Sequence, residues 1–131
     1  MELRPTILLV EDEILIRLVM SDGLREDGYQ VIEAATADEA REILASDTLV
    51  HLVVTDINMP GSINGLQLAA EVKEVDPSLP VLIVSSHLPE ALNGRADGFV
   101  GKPFLHSELS DAISKLIGSE WQAKIERRKA S

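Results

Sequence analysis

Cysteine is absent from the 131 residues, so no disulfide, thiolate zinc site or cysteine nucleophile is available, and a reducing compartment suits the chain. No apolar run approaches the ~20 residues that a membrane-spanning helix needs. The N-terminus, MELRP, leads only into the short run ILLV before three acids, which is unlike a signal peptide and points to a soluble cytoplasmic protein with no membrane partner. Positive charge is scarce as well: 12 Lys and Arg face 22 Asp and Glu, for a net charge of −10. The last 14 residues contribute +2, which leaves −12 on the rest, a body that repels phosphate backbones and makes nucleic acid a poor direct partner. Such a body attracts cations.

What the chain does have is alternation. Residues 6–10, TILLV, form a first buried strand, followed by Glu11, Asp12 and Glu13. A helix is expected over 14–28, with Leu15, Leu18, Val19 and Leu24 as its stripe and Gly28 as its stop. A second strand covers 30–34, and Thr36 with Glu39 reads as a capping box opening a helix whose apolar face is Ala40, Ile43 and Leu44. Residues 49–56, LVHLVVTD, are apolar at nearly every position and rich in β-branched side chains, as in a parallel strand covered on both faces. Leu66, Ala69, Val72 and Val75 mark a third helix, and PVLIVS over 80–85 a fourth strand. A one- or two-turn helix at 89–93, a strand at 99–101 and a helix opening at Ser107, with Leu109, Ala112, Ile113, Leu116 and Ile117 inward, complete the pattern.

Five strands alternating with five helices predict an α/β fold, a doubly wound five-stranded parallel sheet with the fourth helix shortened. The length suits one domain over 1–117 with a tail over 118–131. In that tail Trp121 and Ile125 continue the stripe beyond Ile117, so the last helix either extends, offering a surface for a homodimer, or frays under its basic residues. Of the usual strand orders, the flavodoxin-like 2-1-3-4-5 sets the first and third strands side by side where the winding reverses. Glu11, Asp12 and Asp56 then share one rim. Asp56 alone could be a turn residue, and Glu11 and Asp12 also suit the positive N-terminus of the first helix. Three gathered carboxylates, however, repel by several kcal/mol, so a proton or a cation is required, and oxygen ligands with water suit Mg²⁺. Lys102 reaches the rim but brings a single positive charge.

At this point the chain resembles the receiver domains of two-component response regulators, over residues 6–117. The resemblance is carried by Glu11-Asp12, by Asp56-Ile57-Asn58-Met59-Pro60 at the third strand end, by Ser85 after VLIV, by the ring of Phe99 and by Lys102-Pro103-Phe104. It implies that Asp56 accepts a phosphoryl group from the phosphohistidine of a sensor histidine kinase or a histidine phosphotransfer protein, as a signalling module and not as an enzyme. It further implies Mg²⁺ bound by Asp12, Asp56, the Asn58 carbonyl and, through water, Glu11. Lys102 and Ser85 would each engage a phosphoryl oxygen, with a cis bond before Pro103, and Ser85 and Phe99 would switch a surface for an unknown downstream protein.

Two departures stand out. The loop Gly61-Ser62-Ile63-Asn64-Gly65 is longer than the common form and carries Asn64 where an acid is usual. Between Ser85 and Lys102 the chain is about five residues short, so the crossover barely reaches the roughly dozen residues a parallel connection needs. Of the histidines, His51 reads as hydrogen-bonded or at an edge and His106 as exposed, while His87, two residues past Ser85, and Asn58 flank the phosphoryl position. The 14 residues after Ile117 leave no room for a DNA-binding module, so a stand-alone receiver is expected. Two other readings persist: a pseudo-receiver that binds without taking phosphate, and a haloacid dehalogenase-like aspartyl-phosphate hydrolase, which would want a second Asp where Asn58 stands.

Overall fold

Alternate residues of each central strand serve opposite sides of one sheet. In the computed structural model, which describes residues 4–86 and 96–118, the strands are β1 (Thr6–Val10), β2 (Gln30–Ala34), β3 (Leu52–Asp56), β4 (Val81–Ser85) and β5 (Gly98–Gly101). All pairings are parallel, as the alternation predicts, and the order is 2-1-3-4-5, the one expected among the usual orders. Ile7, Leu9, Leu52, Val54, Leu82 and Val84 point to one side, where α1 (Ile14–Glu26) and α4 (His106–Leu116) cover them with Met20, Leu24, Leu109 and Ile113. Leu8, Val10, Val53, Val81 and Ile83 point to the other, beneath α2 (Ala37–Ala45) and α3 (Gly65–Val75), which contribute Ala37, Ala40, Leu68, Ala69 and Val72. Burial on both faces explains why these strands read as unbroken apolar runs.

Several boundaries and one stripe differ from expectation. The third strand begins at Leu52, and Leu49 is 70% exposed. Its neighbour β1 starts at Thr6 and pairs Ile7 with Leu52, so the residues before His51 have no strand to join. Pro80 lies just outside β4, β5 gains Gly98, and α4 starts one residue earlier, at His106.

In α1 the inward stripe is Ile16, Met20 and Leu24 at spacing four, whereas Leu15, Leu18 and Val19 face solvent. Apolar residues occur all round this helix, so periodicity alone could not choose its buried side. The helix stops at Glu26, and Gly28, at φ 103°, turns the chain into β2. Val75 of the α3 stripe is likewise exposed, while Leu68 is buried in its place. Four helices are present among the described residues; the short helix expected at 89–93 and the extension through Trp121 and Ile125 lie outside them.

Candidate functional site

The C-terminal ends of β1 and β3, adjacent in the sheet, deliver the acidic residues to one rim. Glu11 follows β1 and is fixed through its backbone: its N–H donates to the Ala34 carbonyl at 3.0 Å, and its carbonyl accepts from Arg17 at 2.7 Å. Asp56 ends β3, and its Oδ1 accepts from the backbone N–H of Ile57 at 2.6 Å and of Asn58 at 3.3 Å. Glu11, Asp12 and Asp56 each offer a carboxylate oxygen within 4.8 Å of the others. Glu11 is buried, Asp12 exposed and Asp56 between the two, so the cluster opens to solvent on one side.

Lys102, just past β5, reaches into this cluster. Its Nζ lies 2.7 Å from Asp56 Oδ2 and 2.8 Å from Glu11 Oε1. Burial pushes the Glu11 carboxyl above its ordinary range and Asp12 adds to the rise; the Lys102 ammonium opposes it without cancelling it. Burial alone would lower Lys102, but its bonds to Asp56 and Glu11 outweigh that and hold its ammonium above the ordinary range. A single cation thus leaves the rim short of positive charge. Every donor in the cluster is a carboxylate oxygen, a hard set that fits a small divalent cation and no soft metal.

The other expected residues fall around this centre. Ser85 ends β4, 1% exposed, and its carbonyl accepts the Lys102 backbone N–H at 2.9 Å. Val84 pairs with Asp56, so Ser85 stands one residue beyond Asp56 on the next strand. The Lys102-Pro103 peptide is cis. Phe99, paired with Ile83, is half-buried against the core beneath α2 and α3. Asn58 is exposed beside Asp56. His51 is tied to the first strand, its Nδ1 accepting the Thr6 N–H at 2.9 Å. The His106 ring, exposed, also bonds Asp27 at 2.9 Å and Ser110 at 3.1 Å. His87 lies outside the described residues.

Two features of the rim were not anticipated. Asn64 caps α3: its Oδ1 accepts the Gln67 N–H at 2.9 Å while Gln67 Oε1 accepts the Asn64 N–H at 2.8 Å. The N-x-x-Q spacing was readable as a capping box. Gly65 next to it packs on the end of β3, where a Cβ would fall 1.8 Å from the Asp56 carbonyl oxygen. The second feature is a pair of bonds from Asp38 of α2 to Ser62, for which the sequence carries no spacing signal.

Comparison with known proteins agrees with this geometry. The sequence profile of the response regulator receiver domain matches residues 7–114. The C4-dicarboxylate transport transcriptional regulatory protein DctD of Rhizobium meliloti is 33% identical over 98% of this chain and 27% of its own length. The aerobic respiration control protein ArcA of Escherichia coli is 37% identical over 86% of this chain and 48% of its own. The chain therefore spans between a quarter and a half of these relatives. Among solved structures, the response regulator TrrA of Thermotoga maritima, crystallised with Mg²⁺-BeF, superposes with a TM-score of 0.80 at 30% identity, covering 86% of this chain and 99% of TrrA. A receiver protein from Sinorhizobium medicae gives 0.79 at 31% identity, over 86% and 94%. The chain belongs to the response regulator receiver domain family, whose members serve two-component systems and are characterised by phosphorylation of an aspartate.

Proposed function

We propose that Asp56 takes a phosphoryl group from a phosphohistidine of a sensor histidine kinase or a histidine phosphotransfer protein, and that the modified rim switches a protein-binding surface or passes the phosphate on. The observation that carries this reading is the meeting of Asp56 with Glu11, Asp12 and Lys102 at one solvent-open strand end. An Asp56 carboxylate oxygen attacks phosphorus, the P–N bond breaks, and the histidine nitrogen keeps the bond's electron pair. Asp56 is set for attack by the backbone N–H groups on its Oδ1. Glu11, Asp12, Asp56 and the Asn58 carbonyl are the residues that would hold Mg²⁺, which when bound supplies positive charge to the phosphoryl oxygens. Lys102 leaves its carboxylates to pair with one such oxygen, and Ser85 donates its hydroxyl to another. Inward movement of Ser85 frees space for Phe99, repacking the edge of the sheet at β5.

The approach of a partner has a candidate surface. Ile14, Leu15, Leu18 and Val19, exposed by 43 to 73%, begin three residues after Glu11, and a groove of about 860 Å³ runs from Leu15 and Val19 past Met20 to Lys102 and Phe104. An apolar helix carrying the phosphohistidine could seat there with its ring directed at Asp56. None of the described helices is long and apolar enough to cross a membrane, which accords with a cytoplasmic site of action. A turnover enzyme is the weaker reading, because Asn58 replaces the second aspartate that an aspartyl-phosphate hydrolase would use.

Uptake of phosphate from acetyl phosphate in Mg²⁺, compared between wild type and Asp56→Ala, tests the assignment. Label on wild type alone is expected; label that persists in Asp56→Ala overturns the site. Failure of beryllium fluoride to perturb the wild type would instead favour a pseudo-receiver.

A further inference from the structure

Asp38 lies in the first turn of α2, away from the acidic cluster, and grips the loop that leaves the acceptor strand. Its Oδ2 accepts the Ser62 backbone N–H at 3.0 Å, and its Oδ1 accepts the Ser62 hydroxyl. Gly61, at φ 121°, makes the turn that aims both donors at one carboxylate, and a Cβ there would stand 2.5 Å from Asp38 Oδ2. The Ser62 bonds hold the Asp38 carboxyl below its ordinary range. Arg41, 3.7 Å from Asp38 Oδ1, forms two bonds of 2.9 and 3.0 Å to Glu71 of α3.

The loop so gripped begins at the reactive residue. Its near end is anchored by Asp56 Oδ1 and by the Gly65 N–H, which donates to the Ile57 carbonyl at 2.9 Å. Its far end is anchored by the Asn64 cap, and Ile57, Met59 and Ile63 pack partly on the core. Ser62 lies between these anchors, four residues after Asn58. Between those fixed ends, the hold on Ser62 constrains the run of residues 58–62, which includes the Asn58 carbonyl.

We propose that Asp38 is a positioning residue for the phosphoacceptor site: by clasping Ser62 it sets the Asn58 carbonyl, so that cation affinity and phosphoryl uptake depend on a side chain of α2 that never touches the cluster. The idea rests on the function proposed above. Solvent-exposed bonds of this kind add little to global stability, whereas partners outside a metal's own ligands commonly alter its affinity by tenfold or more. Affinity and stability therefore separate the clasp from a merely structural contact.

The test is magnesium titration by calorimetry, with acetyl phosphate uptake and thermal midpoints, on the full chain as wild type, Asp38→Ala, Asp38→Asn, Ser62→Ala and Glu71→Ala. Asp38→Ala is expected to bind magnesium about tenfold more weakly and to take up label more slowly, with its midpoint little changed. Asp38→Asn, which keeps an acceptor oxygen, should recover part of the affinity. Ser62→Ala should lose part of it and combine non-additively with Asp38→Ala. Glu71→Ala breaks the bond to Arg41 but spares the clasp, and should bind as wild type. Wild-type affinity and uptake in Asp38→Ala would overturn the inference alone, as would an affinity loss that tracks the fall in midpoint across all variants including Glu71→Ala. A wild-type chain that neither binds magnesium nor takes up label would overturn the inference together with the function beneath it.

Discussion

Lys102 Nζ lies 2.7 Å from Asp56 Oδ2, a contact made across the end of β4, the strand between them, by two residues 46 positions apart. The same ammonium is 2.8 Å from Glu11, whose carboxylate is almost wholly buried. One charge therefore serves two anions, and its removal exposes both. Lys102→Ala is expected to lower the stability of the metal-free protein by about 1.5–3 kcal/mol, with magnesium restoring more of the loss than it adds to wild type. Denaturant unfolding with and without magnesium checks this. In phosphorylation assays Lys102→Ala should retain some label on Asp56 without the change in partner binding expected of the labelled wild type.

Gly65 admits no side chain. The Cβ of an alanine would lie 1.8 Å from the Asp56 carbonyl oxygen, with Ile57 Cα at 3.0 Å, so the helix must retreat or β3 must bend. Gly65→Ala is expected to cost about 1–3 kcal/mol and to slow phosphoryl uptake from acetyl phosphate, measured by denaturant unfolding and labelling on the same preparation.

Burial lowers the pKa of His51 from its ordinary 6.5, in keeping with a neutral ring that accepts the Thr6 N–H. Below about 6.5 the unfolded chain binds this proton more readily than the folded one, so protonation favours unfolding. The contribution is complete above the unfolded value and is lost as the pH falls towards the folded one. His51→Asn, which retains an acceptor, should therefore show a shallower fall in thermal midpoint between pH 7.5 and 5.5 than wild type. Parallel curves would count against it.

The exposed apolar face of α1 makes a separable demand. Leu15 is 70% exposed and Val19 73%, so replacing either by Ser should move stability by no more than about 0.5 kcal/mol. Uptake from acetyl phosphate, which needs no docking, should be unchanged. Transfer from a kinase domain that phosphorylates the wild-type chain should slow by about tenfold, as for loss of an interface anchor. Equal slowing with both donors would point to damage at the rim instead.

Much of this was legible in the residues. Runs such as LVVTD and VLIVS are apolar throughout because both faces of the sheet are covered, and their regular alternation with helices leaves few topologies. Glu11, Asp12 and Asp56 could be brought together on paper because each ends a strand or follows one. Burial on α1 was not legible, since Leu15, Leu18 and Val19 satisfy helical spacing as well as Ile16, Met20 and Leu24 do. The start of β3 at Leu52 departs from the apolar run because pairing, which depends on where β1 begins, sets it more than hydrophobicity does. The Thr36 box is only partly formed: Thr36 Oγ1 accepts the Glu39 N–H at 3.1 Å, but Glu39 reaches back to the N–H of Ala35 at 3.3 Å. Asp38 and Ser62 were invisible, being 24 residues apart and joined by a loop whose course no periodicity encodes.

The strict division of strand side chains between two layers has a further consequence. Ile7, Leu9, Val54 and Val84 belong to the side of α1 and α4, and Leu8, Val10, Val53 and Ile83 to the side of α2 and α3. Changes in one layer therefore meet a different set of strand side chains from changes in the other, although both rest on the same strands. Common to both is the short row of strand tips where Glu11 and Asp56 meet.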